Sequence, residues 1–460
     1  MQTHPKTKAA YQLLHEGTLA FGRAEQAGMR IDINYCPQKK EELTERIKIL
    51  EKEILDSKFG KHWRHSTSNK ININSNYQLS HFLYNVKKIE PVKFTVTGKG
   101  ATDDEALSNL QIPELNKLLQ MRKLLKIRDT YLDAFLREQV NGFIHPFFNL
   151  HLVITFRSSS DRPNFQNIPK RDKEAMELCR KALYPRKGHQ FLAMDFSGIE
   201  VRMACVYTQD EKLIYDTIHG DMHKDMAIEL YMLDSLDKHD PGESVLRQAG
   251  KNGFVFPEFY GDYYGNCSLN LLKWAEQGKL KDGTPCLVHL QDKGLVKLNK
   301  NGSIKNNNKF IEHVKQVEDL FWNERYKTYT KWKDRTWKRY QKKGYIDMFT
   351  GFRCSGLMNK KDVTNYPFQG TAFHCLLWTF IQIDKQMQKE KWNSRIVSQV
   401  HDEVSLDTAP NEFKHVSKSI KNIATKKLPE AWPWINIPLD VELEKAEVNE
   451  SWADKKYFEI

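Results

Sequence analysis

The sequence predicts an α+β fold, and two observations carry that reading. Long stretches place apolar residues at helical spacing, as in 37–55 with Leu43, Ile47, Leu50 and Ile54. Short β-branched runs stand apart from them: 395–398 and 404–406 enclose Gln399-Val400-His401-Asp402-Glu403, a pattern that reads as a hairpin with a carboxylate at its tip. The segment 435–446 alternates as a further strand. With 460 residues, 40% hydrophobic and 28% charged, the chain is long enough for several cores and has an ordinary globular composition.

The elements follow in order. Residues 9–30 have helical periodicity ending at Gly28, and 29–32 read as a short strand. Pro37 opens the helix 37–55. Ser75 with Gln78, and Thr102 with Glu105, have capping-box spacing. The segment 93–101 is a basic, Gly-containing loop. Residues 113–138 form a helical stretch whose Arg122, Lys123, Lys126 and Arg128 suit a duplex backbone or simply a solvated face. Extended segments and turns are expected over 143–170, a strand then a helix over 190–206, and helices over 210–260. The Gly/Asn/Lys-rich segment 262–308 reads as an insertion containing hairpins. Helix is expected over 310–343, where Trp332, Trp337 and Tyr340 lie among many cations, and again over 369–387.

The net charge of +12 favours a polyanionic partner, with solubility alone as the competing reading. Seven cysteines without a C-x-x-C pair argue against a disulfide framework or zinc ribbon. The N-terminus lacks a signal peptide's apolar core, and no apolar run is long enough to span a bilayer. A cytoplasmic protein with reduced thiols and no membrane partner is therefore expected.

Four segments bear chemistry besides the hairpin. A buried strand ends at Asp195, and a helix starts soon after. Paired with Asp402 from a distant strand end, Asp195 suits two-metal phosphoryl transfer. Ser197 and Glu200 also have capping-box spacing, so Glu200 has a purely structural reading too. Arg247 and Lys251 share a helix face and lead into Phe254-Val255-Phe256-Pro257-Glu258-Phe259-Tyr260-Gly261, which suits phosphates on the cations and a base on a ring, or else a core stripe. Pro257 there predicts a kink or bulge. The turn-rich run Arg157 to Pro169, including Gln166, offers phosphate and base-edge donors. In Asn365 to Ala372, Gln369 and Thr371 read as helix caps or ligand contacts.

In this order the segments resemble the family A (DNA polymerase I-type) DNA polymerases. Asp195-x-Ser197-x-Ile199-Glu200-x-Arg202 is similar to that family's motif A, Arg247-x3-Lys251 with Tyr260-Gly261 to motif B, and Gln399 to Glu403 to motif C. The runs Arg157 to Pro169 and Asn365 to Ala372 are similar to flanking segments, and weaker similarity extends from Gly28–Asp32 to Trp452.

The resemblance implies a right hand: an antiparallel-sheet palm with helical fingers and thumb. Its expected divisions are palm 1–35, thumb 36–138, palm 139–202, fingers 203–364 and palm 365–460. It implies DNA synthesis on a primer-template from dNTPs. Asp195 and Asp402 would bind two magnesium ions, with manganese as substitute. Arg247, Lys251 and His223 would hold the triphosphate, with Lys251 as proton donor. Glu200 would gate the sugar 2′-position, with Phe256 and Tyr260 near the nucleotide. Arg157, Gln166, Gln369, Gln399 and His401 would contact the primer-template, and Glu403 is left without a role. The chain departs from the family pattern in having Val255 where an aromatic is usual, and one extra residue between Lys251 and Gly261. It also leaves no room for a 3′–5′ exonuclease domain, which implies a bacteriophage-like enzyme working with a separate exonuclease, helicase or processivity factor. The alternatives are a single-subunit RNA polymerase-like enzyme and an inactive, DNA-binding scaffold.

Overall fold

The computed structural model describes residues 2–95, 97–170 and 172–460. Its centre is a five-stranded antiparallel sheet of β1 (Gln190–Phe196), β2 (Arg395–Val400), β3 (Glu403–Thr408), β4 (Val441–Lys445) and β5 (Lys456–Tyr457), in the order β2-β3-β1-β4-β5. Side chains alternate across a strand, and in β1 that alternation divides two hydrophobic cores. Phe191 joins one core, while Leu192 and Met194 join the other.

Ten helices matter for the site: α1 (Lys8–Ala27), α2 (Tyr35–Asp56), α3 (Pro113–Leu125), α4 (Ile199–Thr208), α5 (Met222–Tyr231), α6 (Pro241–Ala249), α7 (Tyr264–Ala275), α8 (Asn308–Leu320), α9 (Lys327–Lys343) and α10 (Lys360–Glu390). The lobe of α2 and α3 buries Leu43, Trp63, Phe82 and Leu118 with the Phe191 side of the sheet. Helices α4 to α10 bury Met203, Leu230, Phe254, Phe310 and Phe380 with the Leu192 side.

Several sequence expectations change. Helix α10 starts nine residues before Gln369, capped by Asn359, with Pro367 inside it. The capping readings of Gln369 and Thr371 therefore fall. An interior proline costs about 3 kcal/mol, but Val363, Phe368, Ala372, Leu376 and Phe380 are all buried along this helix. Large apolar side chains contribute about 1.5–3 kcal/mol each when fully buried, so the packing wins. Asp103, not Thr102, caps its short helix by accepting from the Ala106 N–H, while the Thr102 hydroxyl turns to Asn76. The segment 262–308 is more helical than its glycines suggest: it holds α7, a short helix Cys286–Asp292, and one hairpin of Lys297–Leu298 with Ile304–Asn306. The last strand of the 435–446 run starts only at Val441. All seven cysteines are buried and free. Among the described residues no helix is long and apolar enough to cross a membrane.

Candidate active site

The β2–β3 hairpin turns at His401-Asp402, with Val400 opposite Glu403. His401 adopts φ +54°, a left-handed conformation that His tolerates better than most residues. In the next strand Glu403 pairs with Asp195, and the Phe196 N–H donates to the Asp402 carbonyl at 3.3 Å. The sheet thus brings Asp195 and Asp402 to one edge. Burial pushes the Asp402 carboxyl up to about 7, reinforced by Glu200 and Asp195. Burial likewise raises Asp195, against the pull of Lys170, whose Nζ lies 3.4 Å away. Such crowding leaves a site suited to a cation. Among the described residues no three or more His, Cys, Asp or Glu side chains form a metal cage; magnesium commonly takes one or two carboxylates, completing its shell with water and substrate phosphate.

Glu403 is buried and turned to a different task. Its carboxylate accepts from Lys455 Nζ at 2.7 Å and Ser405 Oγ at 2.6 Å, and Lys455 also reaches Glu444 at 3.1 Å. Burial alone would raise its pKa, but Lys455, Ser405 and Arg180 outweigh burial and hold it well below the usual carboxylate range. Neither Lys170 nor Lys455 was flagged by the sequence, because each matters only through a fold-made neighbour.

Helix α4 begins after Gly198, which sits in the left-handed region and makes no side-chain cap. The capping-box reading of Ser197 and Glu200 is therefore not realised. Instead the Tyr260 hydroxyl donates to Glu200 Oε2, and Arg157 Nη1 approaches Glu200 Oε1 at 3.5 Å. Glu200 ties the strand bearing Asp195 to the helix bearing Lys251.

That second helix contains the bulge expected near Pro257. Helix α6 runs into a π-helical turn, Gly250–Val255, in which the Phe256 N–H donates to the Lys251 carbonyl five residues back. A π turn accommodates one extra residue without breaking the helix. Phe254 and Val255 point into the core, while Phe256 returns to the face of Lys251, whose Nζ lies 5.2 Å from the ring centroid. His223 packs edge-on against the same ring at 5.6 Å. Gly250 permits this approach: a Cβ there would lie 2.5 Å from the His223 carbonyl. Arg247 Nε bonds Asp221 Oδ2 at 2.8 Å, and Asp221 also caps α5. Burial lowers the His223 pKa to about 4, helped by Lys251 and Arg247, so the imidazole is neutral at pH 7. Among the described residues its buried Nδ1 has no hydrogen-bond partner.

Arg157, Gln166, Gln369, Gln399 and His401 come from three separate segments, yet all line one cavity of about 420 Å³. Gln399 is 1% exposed, and its amide accepts from Ser158 and Gln166 and donates to the His401 carbonyl. Gln166 also donates to Ser158 Oγ at 2.7 Å. Ser158, read from sequence as one serine among three, is thus the hub that holds these glutamines together.

A sequence model described as DNA polymerase family A matches residues 33–264 and 308–454. The chain belongs to DNA polymerase family A. It is 26% identical over 452 residues to DNA polymerase I of Pseudomonas aeruginosa, covering 94% of this chain and 43% of that protein. With DNA polymerase I of Aquifex aeolicus it shares 29% identity over 431 residues, covering 92% of this chain and 65% of the relative. With the thermostable DNA polymerase I of Thermus aquaticus it shares 25% over 449 residues, covering 94% and 46%. The chain therefore spans between 43% and 65% of these relatives' lengths. Its fold matches the POL domain of Pol1 from M. smegmatis, solved in complex with DNA primer-template and dNTP, at a TM-score of 0.74 and 22% identity over 96% of this chain and 70% of that one. The right-hand polymerase fold is thereby established. The family A match is interrupted between 264 and 308, over α7, the short helix and the hairpin.

Proposed function

We propose that this family A chain performs template-directed DNA synthesis, adding deoxynucleotides to a primer 3′-hydroxyl and releasing pyrophosphate. The observation that carries the reading is one bridged site. Asp195 and Asp402 lie at adjacent strand ends, the Arg247, Lys251 and His223 face stands on the helices, and Glu200 with Tyr260 joins the two. The relative solved with primer-template and dNTP supports the same substrates.

Asp195 and Asp402 are assigned to magnesium, with manganese able to replace it, because crowded carboxylates favour a hard cation. When bound, such ions supply activation of the 3′-hydroxyl and neutralisation of the leaving charge. Arg247 and Lys251 offer charge-assisted donors to the triphosphate, and Lys251 donates the proton to pyrophosphate. Neutral His223 adds a hydrogen-bonding group without adding charge. Phe256 supplies the ring against the incoming nucleotide. Arg157, Gln166, Gln369, Gln399 and His401 address the primer-template end, with Ser158 holding the glutamines in place. The divisions implied by the resemblance extend to this reading: thumb at 36–138, fingers at 203–364 and palm around the sheet, with 262–308 as an added element.

The wild-type chain with magnesium should extend a primed DNA template from dNTPs, and a chelator should stop it. No extension would favour a DNA-binding scaffold; a strong preference for NTPs would favour an RNA polymerase-like activity. Glu200→Ala should raise ribonucleotide incorporation by about tenfold or more, since a lost steric and hydrogen-bonded barrier of about 1.4 kcal/mol already gives that factor. Competitive dNTP/NTP incorporation measures it, and unchanged selectivity would return Glu200 to a bracing role for Tyr260.

A further inference from the structure

Two lysines meet the carboxylates on one face of the central sheet, and they are held differently. Glu403 of β3 lies directly opposite Asp195 of β1, and cross-strand partners share a face. Lys455 serves Glu403 and Glu444, and its side chain is 3% exposed. Lys170 serves Asp195 through one contact of 3.4 Å to Oδ2, and its side chain is 58% exposed. That contact is long for a charge-assisted hydrogen bond, whose usual range is about 2.7–2.9 Å. Lys455 is locked in place, whereas Lys170 is loosely held.

The backbone that carries Lys170 is firm. Phe165 and Ile168 are buried, and the Tyr131 hydroxyl donates to the Asn167 carbonyl at 2.5 Å. Pro169 then fixes the backbone just before the lysine. An anchored turn thus presents a flexible four-carbon stem whose ammonium reaches the site. A cleft of about 1750 Å³ opens beyond Pro169, bordered by Tyr131 and Asp172 on one side and by Asn266 and Lys273 of α7 on the other. The head group therefore has space to leave. Asp402 is also attracted by Lys170 and by Arg157, but Arg157 is engaged with Glu200 at 3.5 Å. Lys170 is thus the displaceable cation of the pair. An ammonium and a divalent ion compete for the same carboxylate oxygen and repel each other.

We infer that Lys170 is a displaceable counter-ion of the metal site: it holds Asp195 in the free protein and must withdraw before a divalent cation takes that oxygen, so it sets the metal affinity. It is a positioning residue that acts through Asp195. The inference rests on the assignment of Asp195 and Asp402 to metal in the proposed function. Its test is manganese binding to the DNA-free protein, read by the electron paramagnetic resonance of unbound Mn2+. The parent, Lys170→Gln, Lys170→Arg and Asp195→Asn are compared. Lys170→Gln should bind manganese about fivefold more tightly, the factor expected from removing one unit charge about 4 Å away at a water-like dielectric. Lys170→Arg keeps the charge and should bind as the parent does. Manganese should also raise the thermal midpoint more in Lys170→Gln than in the parent, because tighter binding at equal metal stabilises the fold more. A lysine with a merely structural role would change the midpoint equally with and without metal. Unchanged or weaker manganese binding in Lys170→Gln would overturn the inference. Equal tightening in Lys170→Arg would overturn it too, since shape and not charge would then decide. Asp195→Asn separates the two readings and should lose manganese. If it binds as the parent does, the metal assignment fails; if it loses manganese while Lys170→Gln matches the parent, only the role of Lys170 fails.

Discussion

Asp402→Asn should reduce primer extension by on the order of 10³-fold or more, the scale on which losing one preorganised charge at a reacting centre is felt, while leaving primer-template affinity nearly unchanged. Asparagine keeps the shape of the hairpin tip and removes the negative charge. Desolvation at the hairpin tip, reinforced by Glu200 and Asp195, pushes the carboxyl up to about 7. In the free protein it is therefore a cost rather than a support, and a cation is what relieves it. Two measurements check the argument: single-turnover extension with saturating primer-template, and the thermal midpoint of the free protein. Extension should collapse, and the midpoint should hold or rise because a crowded charge has gone. Substantial remaining extension would remove Asp402 from the metal site; a collapsed midpoint would make its role structural.

How far the site was legible follows from where each signal resides. Asp195, Asp402, Arg247, Lys251 and Glu200 lie in short runs whose order carried the family resemblance, so they could be named before any geometry. The roles of Glu200 and Glu403 could not. The spacing of Ser197 and Glu200 fits a capping box, and only the left-handed Gly198 at the helix start and the Tyr260 hydroxyl on Glu200 decide against it. Glu403 adjoins Asp402 in sequence but faces Lys455, more than fifty residues later, and no local pattern encodes that meeting. The π turn at Gly250–Val255 was partly foreseen from Pro257 and the extra residue. Its effect, returning Phe256 to the Lys251 face, needed the backbone. Helix α10 begins nine residues before the expected start at Gln369, because the burial along it outweighs the cost of Pro367 inside the helix, which no local pattern displays.

Lys455→Met should destabilise the protein by about 3–5 kcal/mol, the usual penalty for stranding one charge of a buried pair. Lys455 and Glu403 have side chains only 3% and 5% exposed and meet at 2.7 Å. Methionine preserves much of the lysine stem against Trp452, whose ring centroid lies 5.6 Å from Nζ, so the loss is chiefly of charge. Arg180, 4.3 Å over the same Trp452 ring, still attracts Glu403 but makes no ion pair with it among the described residues. The double variant Glu403→Gln/Lys455→Met should recover most of the loss, because a buried pair replaced as a unit leaves no uncompensated charge. Urea unfolding of parent, single and double variants gives the coupling directly. The pH dependence has a definite sign. The folded-state pKa of Glu403 is depressed, so its contribution is present above the ordinary carboxylate value of 4.5 and fades as pH falls toward the depressed one. The acid-side loss of stability should therefore be smaller in the double variant than in the parent. The pair also anchors the strand that directly follows Asp402, so the single variant should lose extension activity along with stability and the double should regain both. A single variant as stable as the parent would mean that Arg180 or solvent compensates Glu403, and that the hairpin tip is held by the sheet's hydrogen bonds alone.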